Sequence, residues 1–421
     1  MELFKVLTVP EARNIIMQHF TGGQRKVTVP LLKSLGQRLA VAAVAAESIP
    51  GFNRSTMDGF AVRAKDTYGA SEGLPAYLDI DGEVLMGRDA GSELKPGHCR
   101  KIPTGGMLPS GANAVVMVEY TEELDYKTIG VTRPVAHGEN VVLTGEDVSP
   151  GTVVFQAGMV IRPQDLGMLA AMGISEVDVV VPLKVGIIST GDEVVPPEQK
   201  TGPGQVRDIN SYALYGQVLV NGGEPCLYGI VKDDFNALRE VMQKALAEND
   251  MVLLSGGSSV GTRDVAVVVI ASLGEPGVLF HGISVSPGKP TVGAAVAGKP
   301  VLGLPGHPVS AMVIFDLLAA PLIRLGGYAI EGSDVSGDFP VRAKISRNFR
   351  SAAGREDYVR VQLKLKDGEL WAEPVLGKSG LIATMVKADG LARIPLNSEG
   401  VETGEKVAVK LFEIPRLRLD I

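Results

Sequence analysis

Met251-Val252-Leu253-Leu254-Ser255-Gly256-Gly257-Ser258-Ser259-Val260-Gly261 is the most informative segment of this 421-residue chain. Four apolar residues of strand length run into a glycine pair, and a helix is expected from about Asp264. Glycines allow backbone amides to approach an anion closely, and a helix start adds partial positive charge. The same residues also suit a plain strand-to-helix turn, because the loop is neither a Walker loop nor the dinucleotide fingerprint.

The flanking sequence repeats the pattern. Residues 185–189 read as a strand entering Thr190-Gly191-Asp192-Glu193, residues 210–220 as a helix, and residues 226–231 as a strand. Asp233 or Asp234 then caps a helix with apolar residues at Phe235, Leu238, Val241, Met242 and Ala245, the helical period. Residues 301–304 form a further strand, and residues 308–325 a long apolar helix with Pro308 in its first turn. Strands alternating with helices imply a parallel sheet with helices on both faces, whose ligands bind at the carboxyl ends of the strands.

The texture differs on either side. Towards the N-terminus, residues 10–20 suit a helix capped by Thr8, and residues 31–46 a second apolar stretch of a helical segment. Residues 49–150 carry short apolar runs between turn signals such as Asp58-Gly59 and Gly105-Gly106, which predicts a β-rich region. A helix over 163–172 ends at Gly173. Near the C-terminus, residues 357–365 and 370–375 alternate around a Lys366-Asp367-Gly368-Glu369 turn, a small β region.

Composition narrows the function. The length exceeds what one core supports, so several domains are expected. A net charge of −7, no basic stripe and 5% aromatic residues argue against a nucleic-acid footprint. Cys99 and Cys226 lack metal-ligand spacing and suggest no disulfide framework. The longest apolar stretches, residues 39–46 and 265–272, are far shorter than a membrane span. The first residues lack a secretory pattern, so a cytoplasmic location is expected.

Candidate chemistry gathers at the predicted strand ends. Ser255, Gly256, Gly257 and Ser258 can present amides and hydroxyls to a phosphate, and Pro305-Gly306-His307-Pro308 repeats that geometry. His307 reads as a loop residue rather than a catalytic one. Lys289, held between two prolines, can offer an ammonium to an oxyanion at low entropic cost, or be a solvated loop lysine. Glu193 with Asp192, Asp233 with Asp234, and Asp264 sit at or near the same rim. Each alone suits a helix cap; converging on a phosphate crevice, they suit Mg²⁺. Asp58 and Asp147 read, on local pattern, as ordinary turn formers.

Taken together, STMDGFAVR (55–63), PTGGMLPSGANAVVMVE (103–119), GEDVSPG (145–151), STGDE (189–193), the Asp pair after GIVK, SGGSSVGTRD (255–264), PGKPT (287–291) and LPGHPVSA (304–311) resemble the molybdopterin molybdenumtransferases. The C-terminal domain of gephyrin shares that family. The resemblance runs from about residue 5 to the end. It implies a multidomain α/β plus β fold: a discontinuous helical linker (1–48 and 150–183), a β-rich domain (49–149), an α/β molybdopterin-binding domain (184–328) and a C-terminal β domain (329–421). It implies an elongated homodimer with its site between subunits, acting on adenylylated molybdopterin and molybdate, releasing AMP with Mg²⁺ assisting. Contact with other molybdenum-cofactor biosynthesis proteins follows.

By motif, Glu193, Asp233 and Asp264 are the implied metal ligands, with Asp234 in the same catalytic set. Asp58, Thr104 and Asp147 are further functional positions, expected to complete the site from a partner subunit, and Arg355 and Ser379 are substrate-binding ones. Many members carry a base where this chain has Ser286 and Val142, so oxyanion capture here rests on Lys289, Arg263 or Arg355. Two rival readings share these features: an adenylyltransferase that activates molybdopterin with ATP, and a dimeric scaffold for a partner peptide.

Overall fold

In the computed structural model, which describes residues 6–21, 25–256, 265–326 and 339–412, the alternation after residue 184 produces a six-stranded sheet. Its order is Glu224–Val231, Lys184–Thr190, Met251–Ser255, Lys299–Leu304, Val292–Val296, Pro276–His281. The first four strands are parallel. The expected all-parallel sheet is corrected at its other edge, where Val292–Val296 and Pro276–His281 run antiparallel. Ala297 (φ 49°) and Gly298 (φ 75°) make the two-residue turn between Val296 and Lys299. Positive φ at both positions matches the strand twist, but Ala-Gly lacks the usual Asn-Gly signature, so local sequence did not announce the hairpin.

Alternate residues of the inner strands serve opposite faces. Ile187, Leu253 and Leu302 pack with Leu214, Val218 and Val313. Ile188, Val252, Leu254 and Val301 pack with Leu238, Met242, Ala266 and Ile270. Burial on both faces explains why these strands are near-continuous apolar runs. Each such side chain contributes about 1.5–3 kcal/mol relative to exposure.

The predicted helix over 210–220 forms as Asn210–Val220. Phe235–Glu248 is capped by Asp234, whose carboxylate accepts from the Ala237 N–H at 2.9 Å. The long apolar helix runs as Pro308–Ile314, opens into a π turn over Phe315–Ala319, and resumes as Ala320–Arg324. Pro321 has no N–H for the Leu317 carbonyl four residues back. The buried Arg13 Nε donates to that carbonyl at 2.6 Å instead.

Arg13 belongs to helix Val9–Gln18, which Thr8 and Glu11 cap reciprocally. Its Val9, Ala12 and Ile16 join the same core as Leu183 and Leu302. This helix, expected within the linker segment 1–48, therefore belongs with residues 180–421 in one compact unit, while residues 26–179 form a second.

In the second unit, the helical stretch expected over 31–46 is corrected. Only Leu31–Lys33 is helical, and Ala43–Val44 pairs antiparallel with Val153–Phe155. Gly36, at φ +77°, turns the chain out of any helix, and Leu31, Leu39 and Ala43 bury against Phe155, Ile161 and Leu169. Helix Pro163–Ala171 follows, with Gly173 just past its end at φ +75°. The predicted β-rich region holds a six-stranded sheet around Phe60, Leu78, Val116 and Ile129.

In the first unit, the C-terminal strands close on themselves, because Glu356–Lys366 pairs with both Glu369–Pro374 and Gly390–Ile394. Asp367 and Gly368, both at positive φ, make the expected hairpin turn. Among the described residues no helix is long and apolar enough to cross a membrane.

Candidate functional site

Three parallel strands end side by side, with Ser189 opposite Ser255 and Ser255 opposite Leu304. The chain leaves them through Gly191, Gly256 and Pro305. Gly256 sits at φ +104°, and a Cβ there would lie 2.3 Å from the Thr190 carbonyl oxygen. No side chain fits, so the loop backbone lies directly against its neighbour.

These loops wall a cleft of about 650 Å³, lined by Glu193, Asp233, Ser255, Gly256, Pro305, Gly306 and Pro308, among others. Seven of the predicted site residues therefore meet at one place. Gly257, Ser258, Arg263 and Asp264 lie outside the described residues.

Carboxylates occupy one side of the cleft. Asp233 accepts from the Thr190 hydroxyl at 3.0 Å, and Asp192 from the Asp233 N–H at 3.4 Å. The Glu193 carboxylate folds over Gly191, 2.7 Å from where a Cβ would stand. Asp234 is engaged as the helix cap and does not line the cleft. Among the described residues no group of three His, Cys, Asp or Glu can hold a metal. Mg²⁺ commonly takes one or two carboxylates together with substrate phosphates, and the exposed Glu193 and Asp233 fit that mode rather than an all-protein cage.

Sequence reading passed over Asn210. Its Nδ2 donates to Ser255 Oγ at 2.6 Å and to the Gly306 carbonyl at 2.8 Å. A carbonyl only accepts, so this contact fixes the orientation of the amide. The Asn210 Oδ1 is then buried with no hydrogen-bond donor among the described residues. Such an acceptor costs about 1–3 kcal/mol, which a ligand donor would recover. Asp208, accepting from the Ser211 N–H at 3.0 Å, was a legible cap ahead of this helix and could have drawn attention to Asn210.

A second cavity, of about 560 Å³, is lined by Lys289, Ser310, Arg355 and Ser379 and shares Pro290, Pro305 and His307 with the first. Val285–Ser286 pairs parallel with Glu356 and Asp357, which brings the Lys289 loop beside Arg355. Gly288, at φ +115°, approaches Ile314 so closely that a Cβ would lie 2.4 Å from Ile314 Cδ1. Arg355 Nε donates to the buried Asp357 carboxylate at 3.4 Å, and the Ser351 hydroxyl donates to the same group. The Ser379 carbonyl accepts the Val309 N–H at 3.1 Å, docking its loop on the helix that begins at Pro308. Ser379 Oγ lies 3.0 Å from His307 Nδ1. The described lining of this cavity includes two cations and no carboxylate.

In the unit formed by residues 26–179, the Thr104 N–H donates to Asp58 Oδ1 at 2.7 Å. That backbone bond, then the Thr104 side chain, holds Asp58 below the usual carboxylate range. Arg54–Ser55 pairs with Val141–Val142, and Asn53 Oδ1 accepts from the Thr144 N–H and hydroxyl. The Asp147 N–H donates to the Ile49 carbonyl at 3.1 Å. Asp58 and Thr104 thus touch, and the loop of Asp147 is tied to the same segment.

Three family profiles match consecutive parts of the chain: "MoeA N-terminal region (domain I and II)" over 7–173, "Probable molybdopterin binding domain" over 186–325, and "MoeA C-terminal region (domain IV)" over 342–412. A molybdopterin molybdenumtransferase of Nostoc sp. is 35% identical over 389 residues, covering 90% of this chain and 87% of that protein. Molybdopterin molybdenumtransferase 2 of Mycobacterium tuberculosis is 34% identical over 395 residues, covering 91% and 95%. The solved structure of a molybdopterin biosynthesis protein from Pyrococcus horikoshii superposes with a TM-score of 0.81 at 33% identity, over 97% of this chain and 100% of that one. Matched along nearly its whole length, this chain belongs to the molybdopterin molybdenumtransferase family.

Proposed function

We propose that the chain transfers molybdenum from molybdate to adenylylated molybdopterin and releases AMP. One observation carries this: a cleft bearing carboxylates adjoins a cavity bearing cations, and the two share Pro290, Pro305 and His307. Carboxylates that hold Mg²⁺ suit a phosphoanhydride, and cations suit a small oxyanion.

Glu193 and Asp233, with Asp264, would hold Mg²⁺, which supplies charge neutralisation on the phosphates when bound. Thr190 keeps the Asp233 carboxylate turned by a hydrogen bond. Ser255, held by Asn210 and still free to donate its own hydroxyl hydrogen, and the glycine turn at Gly256 position the phosphate-bearing end of the substrate, and the glycine lets backbone approach it closely. Lys289 and Arg355 attract molybdate, with the Ser379 hydroxyl as a hydrogen-bond donor. Phosphoryl chemistry of this kind depends on positioning and fixed charge more than on covalent steps. We extend the proposal to a homodimer located in the cytoplasm, with Asp58, Thr104 and Asp147 among its functional residues and other molybdenum-cofactor biosynthesis proteins as partners.

The test is AMP release by the purified protein from adenylylated molybdopterin, with and without molybdate. Release that needs molybdate and falls about tenfold or more in Asp233→Asn supports the proposal, a loss on the scale of one charged hydrogen bond. ATP consumption with adenylylation of molybdopterin, or release indifferent to molybdate, would overturn it.

A further inference from the structure

His307 belongs to the wall that both cavities share, and its two ring edges have different neighbours. Nδ1 lies 3.0 Å from the hydroxyl of Ser379, which lines the cationic cavity. The opposite edge lies beside Gly380, which lines the acidic cleft: a Cβ there would stand 3.7 Å from Cδ2 and 4.0 Å from Nε2. Residues 379 and 380 thus lead from one compartment to the other, and the imidazole follows them.

We infer that His307 couples the two cavities, so that an oxyanion in the cationic cavity sets which kind of hydrogen bond the ring makes in the acidic cleft. The inference rests on the function proposed above. A neutral imidazole has one donor nitrogen and one acceptor nitrogen, and a serine hydroxyl can donate only once. With the second cavity free of anion, the Ser379 hydroxyl donates to Nδ1. Nε2 then carries the hydrogen and can donate to a phosphoryl oxygen in the acidic cleft. An oxyanion in the second cavity takes the Ser379 hydroxyl hydrogen bond for itself. Ser379 Oγ is left as an acceptor, Nδ1 carries the hydrogen, and Nε2 becomes an acceptor facing the phosphate. Two acceptors do not bond, so the grip on the phosphate loosens when the oxyanion arrives. Binding in one compartment thereby favours departure from the other.

Calorimetric titration of the full chain with AMP, in the presence and absence of saturating molybdate, tests this. In the unmutated protein the Kd for AMP is expected to rise about fivefold or more with molybdate, the lower range of measured site-to-site couplings. Reciprocity requires the Kd for molybdate to rise by the same factor with AMP. In His307→Asn, and separately in His307→Gln, the ratio should fall to about one, whatever happens to each affinity alone, because the ratio is internal to each variant. Both ligands binding the unmutated protein without influence on each other, AMP binding tightening with molybdate, or a ratio that survives both substitutions would overturn the inference while leaving the proposed function standing. Failure of the unmutated protein to bind either ligand would overturn both.

Discussion

The acidic cleft and the cationic cavity share a wall but are built differently. In the cleft, backbone determines the shape: three strand ends in register, Gly256 pressed on the Thr190 carbonyl, and Asn210 tying Ser255 to Gly306. In the cavity, four loops distant in sequence each bring a side chain: Lys289, His307, Arg355 and Ser379. Arg355 is positioned by the buried Asp357, and Ser379 by the helix start at Val309. A scaffold of strand ends tolerates changes of side chain better than changes of backbone. A ring of convergent side chains has the opposite sensitivity.

Gly256→Val strikes the backbone-built cleft most directly. A side chain there would meet backbone on one side and a positive φ on the other, so no rotamer relieves it. The expected cost is about 3 kcal/mol or more, with loss of AMP release. Thermal unfolding read by calorimetry would show a midpoint lowered by several degrees. A midpoint equal to that of the unmutated protein would mean that the cleft is not shaped by its backbone.

Next in size are substitutions that should separate the two compartments. Lys289→Met or Arg355→Met is expected to raise half-saturating molybdate about 10- to 100-fold, the range for one charged hydrogen bond, with little change in AMP affinity. Glu193→Gln should do the reverse, shifting Mg²⁺ dependence and leaving molybdate affinity within about threefold. If each substitution moved both ligands equally, the division into two compartments would fail.

Legibility in the sequence followed the same division. Glu193, Asp233, Ser255, Gly256, Pro305, Gly306 and Pro308 were readable as one rim because each lies in the turn or helix start that follows a predicted strand, and parallel strands align their ends. The cationic cavity had no such local rule. Lys289 and Arg355 come together through the pairing of Val285–Ser286 with Glu356–Asp357, a contact that no period or spacing announces. Asp233 and Asp234 could not be told apart by pattern, since both suit a cap; the Ala237 N–H chooses Asp234 and leaves Asp233 in the cleft. Over 31–46 apolar content alone does not distinguish a helix from an irregular ribbon, and the turn at Gly36 decides for the ribbon. The antiparallel edge has no local signature, because Ala297-Gly298 is an unmarked turn.

The smallest expected effect probes how far side chains matter inside the backbone-built cleft. Thr190 is 3% exposed, and its hydroxyl donates to Asp233 Oδ1 at 3.0 Å. Thr190→Val keeps the shape and removes only that donor. The buried site loses one hydrogen bond, worth about 1 kcal/mol, while Asp233 is exposed and finds water in exchange. AMP release should therefore slow only a few-fold, and the unfolding midpoint should barely move, because a methyl fills the vacated position. The rate should recover as Mg²⁺ is raised if the lost bond served to orient Asp233 toward a cation, since a poorly oriented ligand weakens affinity rather than chemistry. A rate loss of a hundredfold that Mg²⁺ does not rescue would mean that the threonine hydroxyl acts on substrate directly. The contrast between a backbone-shaped cleft and a side-chain-shaped cavity would then have to be redrawn.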